Sequence, residues 1–482
     1  MPVGVEVTTG RIAAATNLTV ESGRMIVVGA TARGTTKPTV VRSLTQYTQN
    51  FGERSLGTAN LYDTLELFFA EGGGEAVVAR VLGPGATADS GTLKNSADAD
   101  SVKFTARELG GTGDLYVTVN TEKSQILVRR LVGAQYITLE RFHGLSVPEA
   151  LQNFEDSQFV RASYVGEGAG DETEILAGSV NLTGGLSDAQ SATNDSYTRA
   201  IATAVEFSPG ACVTVPGYYP ETGIAPLALA ADKHLFITSG NRGQVFDEFA
   251  KSDPTGESVD GPENVLAVGP WVRVPNGDRL KTVPAEGFAA GVRARAHAAE
   301  GFWKSPAGTD STARFVSAPA WPNGEDATTL NPNSLEQRIW ANPVLERRGR
   351  VTLADYRAGD ASVSMPYQAQ EIDTLANIRA LVKASLEQYL FRTIDGRGQL
   401  FSEVEGTVIG ILQPLADAGA LFARLVDGEE VDPGYSVTVD SSNNTPETLA
   451  QNVLNVSIGV RLSPVAREIR VTIIQVPLTG AL

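Results

Sequence analysis

The stretch FGERSLGTANLYDTLELFFAEGGGEAVVARVLG, residues 51–83, decides the fold of the first part of the chain. Its central segment NLYDTLELFFA predicts a helix, because Leu61, Leu65, Phe68 and Phe69 recur on one face. The glycines at 72–74 end that helix. The following run EAVVARVL at 75–82 and the earlier run MIVVGA at 25–30 both indicate strands. The sequence therefore predicts a compact strand–helix–strand domain over 21–85.

Short β-patterned runs follow this domain. From residue 86 the composition shifts to Gly, Ser, Asp and Ala, and turn residues then separate four runs: VKFTAR at 102–107, DLYVTVN at 114–120, QILVRR at 125–130 and QYITLERF at 135–142. They predict an inserted small β-sandwich or barrel over 86–185. The stretch 166–185, rich in glycine and acidic residues, is interpreted as a linker.

The region 186–364 alternates helical and strand patterns, from a helical run near 194–206 through ACVTVPG at 211–217 to ENVLAVGPWV at 263–272. Such alternation is typical of an α/β sheet with crossover helices. The multidomain fold class is therefore α/β and α+β.

The region 365–482 is predicted to be the α+β part, a C-terminal domain. It opens with a helix at about 371–391, whose apolar arc comprises Ile372, Leu375, Ile378, Val382, Leu386, Tyr389 and Leu390. A second helix follows at about 398–413, and then β runs at 434–440, 455–463 and 468–476.

Residues 1–20 are predicted to be an arm. Val3, Val5 and Val7 alternate with smaller or polar residues, which is the pattern of a half-buried strand. No hairpin turn or matching strand follows within ten residues. This strand is therefore expected to pair with a segment far away in sequence or on another chain, with pairing inside its own domain as the alternative.

Charge and targeting signals exclude several classes of partner. The 482 residues carry 39 Lys+Arg against 56 Asp+Glu, a net charge of −17, which argues against nucleic acid and anionic membranes because both select basic faces. The N-terminus MPVGVEVTTG lacks the cationic start and apolar core of a signal peptide, and no run approaches 18 apolar residues. We expect a soluble protein made in the cytoplasm, with no membrane insertion.

The sequence contains few residues in the patterns typical of catalytic, metal-binding or phosphate-binding sites. Cys212 is the only cysteine, and His143, His234 and His297 lie far apart without metal-binding spacing. The phosphate-binding motif GxxxxGK[ST] and the GxSxG elbow are both absent. We therefore predict no catalytic residues, no metal and no cofactor. A soluble α/β hydrolase built on 186–364 remains the alternative from another class.

Five motifs, in order along the chain, resemble the contractile tail sheath family. The stretch 51–83 has that family's FG pair, Phe-Phe helix, double glycine and Val-x-Arg-Val strand. The other four are GFWKSPAG at 301–308, LNPNSLEQRIW at 330–340, NIRALVKASLEQYLF at 377–391 and VRLSPVAREIRVTIIQV at 460–476. Two departures are visible: Glu71 stands where the family often has Asn, and SMPYQAQEID at 364–373 replaces a Gly-Ala-Arg-Thr stretch.

The resemblance implies a structural subunit of a sheath that polymerises helically around an inner tail tube and contracts to drive the tube through a host envelope. Its implied partners are further copies of the chain, the tube protein, and baseplate and tail terminator proteins, and its implied location is the virion tail. The middle region, 186–364, corresponds to the family's so-called subtilisin-like domain, here without a catalytic triad. The sheath of a capsid-less, phage-derived injection particle is the alternative within this class.

The resemblance also implies where subunits meet. In this family, an N-terminal arm and a C-terminal strand add to the sheet of a neighbour's C-terminal domain; the matching residues are Val3, Val5, Val7, Ile469, Val471 and Ile473. The family places a tube contact on a C-terminal helix. On the second helix, Leu400, Val404, Val408, Ile411 and Leu412 form a predicted core face. The opposite side carries small residues at four-residue spacing, and the predicted tube-facing set is Ser402, Glu403, Gly406, Gly410 and Gln413. Packing of this side against a helix of the same chain is the alternative.

Overall fold

The computed structural model describes residues 22–166, 175–218, 225–239, 263–320, 341–359, 367–466 and 471. The chain forms two compact units. The large unit is Glu21–Ala376, and the C-terminal unit begins at Asn377.

The core of the large unit is an eight-stranded, mostly parallel sheet. Its strands are β1 (Met25–Gly29), β2 (Thr39–Val41), β3 (Ala76–Arg80), β12 (Cys212–Thr214), β13 (Phe236–Ser239), β14 (Val265–Gly269), β18 (Ala341–Arg347) and β19 (Arg350–Leu353). Their order is β19-β18-β14-β13-β12-β1-β3-β2, and only the outermost strand at each edge is antiparallel to its neighbour. The predicted segments 21–85 and 186–364 thus contribute strands to one sheet.

Helices cover both faces of this sheet. On one face pack α1 (Leu44–Phe51), α2 (Ala59–Ala70) and α6 (Glu286–Ala299); on the other pack α4 (Asn194–Phe207) and α5 (Ala225–Ala230). Along β1, Met25 and Val27 join the first core while Ile26 and Val28 join the second, and all four are fully buried. A strand buried on both faces has a continuous apolar sequence, which is why MIVVG indicated a strand without alternation.

The inserted region folds as two four-stranded antiparallel sheets around one core. One sheet has the order β10 (Leu176–Ala177), β4 (Ala88–Asn95), β5 (Asp100–Leu109), β9 (Val160–Tyr164); the other has β11 (Ser179–Asn181), β6 (Leu115–Asn120), β7 (Gln125–Val132), β8 (Gln135–His143). The helix α3 (Val147–Asn153) closes the core, where Phe104 and Phe154 meet edge to face. The four β-patterned runs are strands of this insertion.

Part of the stretch interpreted as a linker belongs to these sheets. Leu176 and Ala177 pair with β4, and residues 179–181 pair with β6. Short edge strands are held by backbone hydrogen bonds, so the polar, Gly-rich composition of this stretch concealed them.

Smaller elements complete the large unit. They are the three-stranded sheet of β15 (Val272–Asn276), β16 (Arg279–Val283) and β17 (Ala318–Pro319), the strand pair β20 (Arg357–Ala358) and β21 (Tyr367–Gln368), and short 3-10 turns at Leu56–Thr58, Ala189–Ser191 and Gly308–Ser311.

The C-terminal unit combines helices with short strand pairs. Helix α7 (Ala369–Leu386) begins in the large unit, ends in this one and continues as a 3-10 turn, Glu387–Tyr389. The remaining elements are α8 (Gln399–Asp417), β22 (Arg424–Val426), β23 (Glu429–Asp432), β24 (Tyr435–Thr438), α9 (Pro446–Ala450) and β25 (Ser457–Val460). A small core forms around Leu400, Val404 and Val439.

The apolar arc predicted for α7 is only partly its buried face. Ile378 is buried, but Leu375 and the following Leu390 are 47% and 64% exposed. The most deeply buried positions include the polar residues Gln370, Asp373, Thr374 and Asn377. The arc was wrong at these positions because the start of α7 is held by polar contacts, which a pattern of apolar residues does not reveal.

Candidate interaction surfaces

The exposed side of α8 coincides with the predicted row of small residues. Leu400, Val404, Val408 and Leu412 are buried as predicted, whereas Ile411 is half-buried. Ser402, Gly406 and Gly410 are exposed on the other side. A Cβ atom built on Gly406 or Gly410 meets no atom within 4 Å in the described part of the chain. The described residues therefore leave this side of α8 uncovered.

The two polar residues predicted for the same surface are engaged within the chain. Glu403 forms an ion pair with Arg392, and its backbone oxygen accepts hydrogen bonds from Tyr389 and Thr407. The side-chain oxygen of Gln413 accepts a hydrogen bond of 2.6 Å from Tyr435, and its amide donates to Asp417 at 2.7 Å. Both residues thus hold α8 in place, which the spacing of small residues did not indicate.

Beside α8 lies a sheet of two strands. β24 and β25 pair in antiparallel register from Tyr435↔Val460 to Thr438↔Ser457. Among the described residues the only further pairing at this sheet is a single antiparallel bridge, Leu421↔Leu462, just beyond the end of β25. An open groove of about 570 Å³ runs along Asp432–Ser436 and Gly459–Arg461. A two-stranded sheet is only marginally stable in water, so further strands would add to its stability.

Most residues predicted for strand exchange lie outside the described residues. These are Val3, Val5, Val7, Ile469 and Ile473. Val471 is described, and its side chain is 75% exposed.

Glu71, one of the two departures from the family pattern, is fully buried at the end of α2. Its carboxylate accepts hydrogen bonds of 2.8–3.1 Å from three consecutive backbone N–H groups, those of Arg314, Phe315 and Val316. Arg295 donates to the Glu71 backbone oxygen at 3.0 Å and lies 3.5 Å from its carboxylate. The glutamate therefore fastens the segment 314–316 to α2.

His234 and Cys212, two residues considered for catalysis, are both buried in the fold. His234 is buried and its Nδ1 lies 2.9 Å from the backbone oxygen of Ala231. Burial raises the pKa of the Cys212 thiol to about 11, so at neutral pH it is protonated and unreactive. Across the described ranges, no three His, Cys, Asp or Glu side chains are grouped to hold a metal ion. No helix in those ranges is both long and apolar enough to cross a membrane.

Solved structures provide the comparison. No family profile and no curated protein matches the chain. A sheath tail protein of Listeria innocua, Lin1278, is similar at 15% identity with a TM-score of 0.57, over 87% of this chain and 89% of its own. A chain of the anti-feeding prophage baseplate in its contracted state is similar at 14% identity with a TM-score of 0.58, over 100% of both chains. The anti-feeding prophage helical sheath in its contracted state matches at 15% identity with a TM-score of 0.53, over 98% of both chains.

The chain has the fold of the contractile tail sheath proteins. This confirms the resemblance that the five sequence motifs indicated, and the similarity covers both units of the chain.

Proposed function

We propose that this chain is the structural subunit of a contractile tail sheath, which polymerises helically around an inner tail tube and contracts to drive the tube through a host envelope. The observation that carries the proposal is similarity over 98% of both chains to a helical sheath in its contracted state. The motif order and the absence of a phosphate-binding or nucleophile motif agree with a structural role. In such a particle the chain lies in the tail, with further copies, the tube, the baseplate and a tail terminator protein as partners.

A particle without a capsid is the second candidate. Matches that span nearly the whole chain include the anti-feeding prophage sheath and the sheath of an extracellular contractile injection system, whereas Lin1278 matches over 87% of this chain. Full-length similarity therefore favours a phage-derived injection particle.

The neighbouring proteins in these comparisons are sheath and baseplate components, and we infer that this chain is likewise not an enzyme. A parallel sheet with helices on both faces supports the subtilisin-like description of the region 186–364. Its buried His234, bonded to a backbone oxygen, supports a topology without a triad. Hydrolytic turnover by a purified chain that never polymerises would contradict this assignment.

The strand at 3–7 and the strand containing Ile469, Val471 and Ile473 are proposed to join the β24–β25 sheets of neighbouring subunits. Among the described residues the β24–β25 sheet has only two strands, so strands from a neighbour could extend it. An extended arm of this length would form about four to six ladder bonds, each contributing about 0.5–1.5 kcal/mol before the cost of ordering. Head-to-tail links form rings where their rotation closes and helical arrays where it does not, which suits stacked rings that build a helical sheath.

The uncovered side of α8 is proposed to face the tube. Ser402, Gly406 and Gly410 allow a partner backbone to approach closely, while Glu403 and Gln413 border this row and position the helix.

Negative-stain electron microscopy of the purified chain tests the proposed function. We expect tubes or short contracted cylinders from the native chain, and loss of long tubes when residues 2–9 are deleted. Persistent monomers of the native chain under every assembly condition would reject the sheath function, and unimpaired polymerisation of the deletion variant would reject the arm.

A further inference from the structure

A buried ionic cluster connects α6 with the start of α7. Arg293 on α6 and Asp373 on α7 have side chains only 0% and 2% exposed. The guanidinium donates three hydrogen bonds of 2.7–3.0 Å to the two carboxylate oxygens. The Tyr356 hydroxyl donates a further bond of 2.9 Å to Asp373.

The same side of α6 also holds the first described residues of the chain. Arg293 Nη1 donates to the backbone oxygen of Arg24 at 3.2 Å, and His297 Nδ1 lies 2.9 Å from the backbone oxygen of Ser22. A carbonyl oxygen only accepts, so Nδ1 carries the proton in this contact. The side chain of Arg24 donates a hydrogen bond of 2.7 Å to Glu75, the residue just before β3.

The charges of this cluster are balanced within it. Burial alone would raise the pKa of Asp373, but the positive charge of Arg293 lowers it to about 2. Burial and the charge of Arg293 lower the pKa of His297, so the imidazole is neutral at pH 7. One buried cation thus pairs with one buried anion, and dissolved salt screens this pair much less than it screens exposed charges.

The cluster lies at the two places where the large unit continues into the rest of the chain. Ser22 is the second residue of that unit, and Asp373 is three residues before its last, Ala376. The next residues after Arg24 form β1, which lies between β12 and β3 in the sheet. If residue 22 were not held by these contacts, tension applied to it would pass to β1 and separate β1 from its neighbours in the sheet.

We propose that this cluster is a mechanical anchor, which takes up tension applied to the two ends of the large unit and passes it between them through Arg293 on α6. The role in a particle rests on the proposed sheath function, in which neighbouring copies pull on both ends of each subunit. The anchor itself is a property of the single chain and is tested on it.

Single-molecule pulling on the full chain tests the anchor. Handles at the N-terminus and at the exposed Lys383→Cys load both ends of the large unit, and the buried Cys212 does not compete for the handle. Removing one partner of a buried charge pair leaves the other uncompensated, so Asp373→Asn should raise the unfolding rate under constant tension about 100-fold. His297→Leu keeps the Arg293–Asp373 ion pair but loses the contact to Ser22 and the 3.6 Å approach of Nε2 to Asp373. It should raise the rate about tenfold.

Two comparisons separate an anchor from general stability. Glu300→Gln removes an exposed ion pair with Lys304 at the end of the same helix and should leave the rate unchanged. Handles at Lys123→Cys and Lys233→Cys, both exposed and remote from the cluster in the sequence, load the large unit along another direction. In that geometry the two cluster variants should change the rate less than about threefold.

An equal increase in both geometries would overturn the anchor. If Asp373→Asn does not fold, His297→Leu decides the matter by the same comparison. A native chain that forms no tubes but shows the directional effect would reject the sheath function and leave the anchor, and tube formation without a directional effect would do the reverse.

Discussion

Gly287 on α6 packs directly against the backbone of Thr64 on α2. A Cβ atom built on Gly287 would lie only 2.4 Å from the Thr64 backbone oxygen. Real Cβ atoms do not approach an oxygen this closely, so a larger residue would force the two helices apart. We predict that Gly287→Ala lowers the free energy of unfolding of the large unit by about 1–3 kcal/mol. Tryptophan fluorescence during urea unfolding measures this, because all four tryptophans lie within Glu21–Ala376.

Gly406→Ala is the matched control for this prediction, since it also adds one methyl group to a helix glycine but into open space. It should leave the fluorescence transition unchanged. Equal midpoints for the native chain and Gly287→Ala would contradict close packing of α2 and α6.

Asp373 predicts an acid dependence of stability. Its pKa is lowered to about 2 in the folded chain, from about 3.9 in the unfolded chain, because the charge of Arg293 outweighs burial. A lowered folded pKa means that the stabilisation is present above pH 4 and is lost as the pH falls towards 2. The loss amounts to about 2 kcal/mol.

The measurement for this prediction is urea unfolding of the large unit at pH 5, 4, 3 and 2.5. The native chain should lose more stability over this range than Asp373→Asn, whose amide does not titrate. Glu300→Gln, at an exposed ion pair, should follow the native curve. Parallel curves for native chain and Asp373→Asn would mean that the carboxylate is not stabilised by Arg293.

The sequence predicted the elements whose apolar residues form a continuous run or follow a helical period. β1 and β3 are such runs, and α2 and the core face of α8 follow such a period; all four occur where the pattern placed them. Helix α6 went unpredicted because its sequence, EGFAAGVRARAHAA, carries no apolar stripe: glycines form its contact to α2, and Arg293 and His297 are buried. Such polar, close-packed contacts depend on partners far away in sequence, which a local pattern does not contain.

Glu71 predicts a local weakness when its charge is removed. The Glu71 oxygen Oε1 accepts from all three backbone N–H groups at 314–316, and Oε2 accepts from Arg314 as well. Glu71→Gln keeps the shape but replaces one of these oxygens with an NH2 group, which sets a donor against at least the Arg314 N–H and removes the negative charge. We expect a loss of about 1–3 kcal/mol in the free energy of unfolding. Hydrogen exchange of the amides at 314–316 should also become faster than in the native chain.

Glu75→Gln serves as the comparison, because the Glu75 side chain is about one quarter exposed and pairs with Arg24 and Arg42. It should leave exchange at 314–316 unchanged. Slow exchange of those amides in Glu71→Gln would show that the segment is held by contacts other than this carboxylate.

Substitutions at Gly406 of α8 distinguish effects on the stability of the C-terminal unit from effects on its proposed contact with the tube. Because a Cβ on Gly406 meets no described atom, Gly406→Ala should stabilise the C-terminal unit by about 0.5–1 kcal/mol through helix propensity alone. Circular dichroism during thermal unfolding measures this.

Gly406→Leu should likewise fold, yet it should fail to assemble around the tube, since its side chain occupies the space that a partner backbone needs. Ala384→Leu adds a large side chain at an exposed position of α7 and should assemble normally. Unchanged assembly of Gly406→Leu in electron micrographs would remove α8 from the tube contact, whereas a fall in stability of Gly406→Ala would mean that this side of α8 packs within the chain.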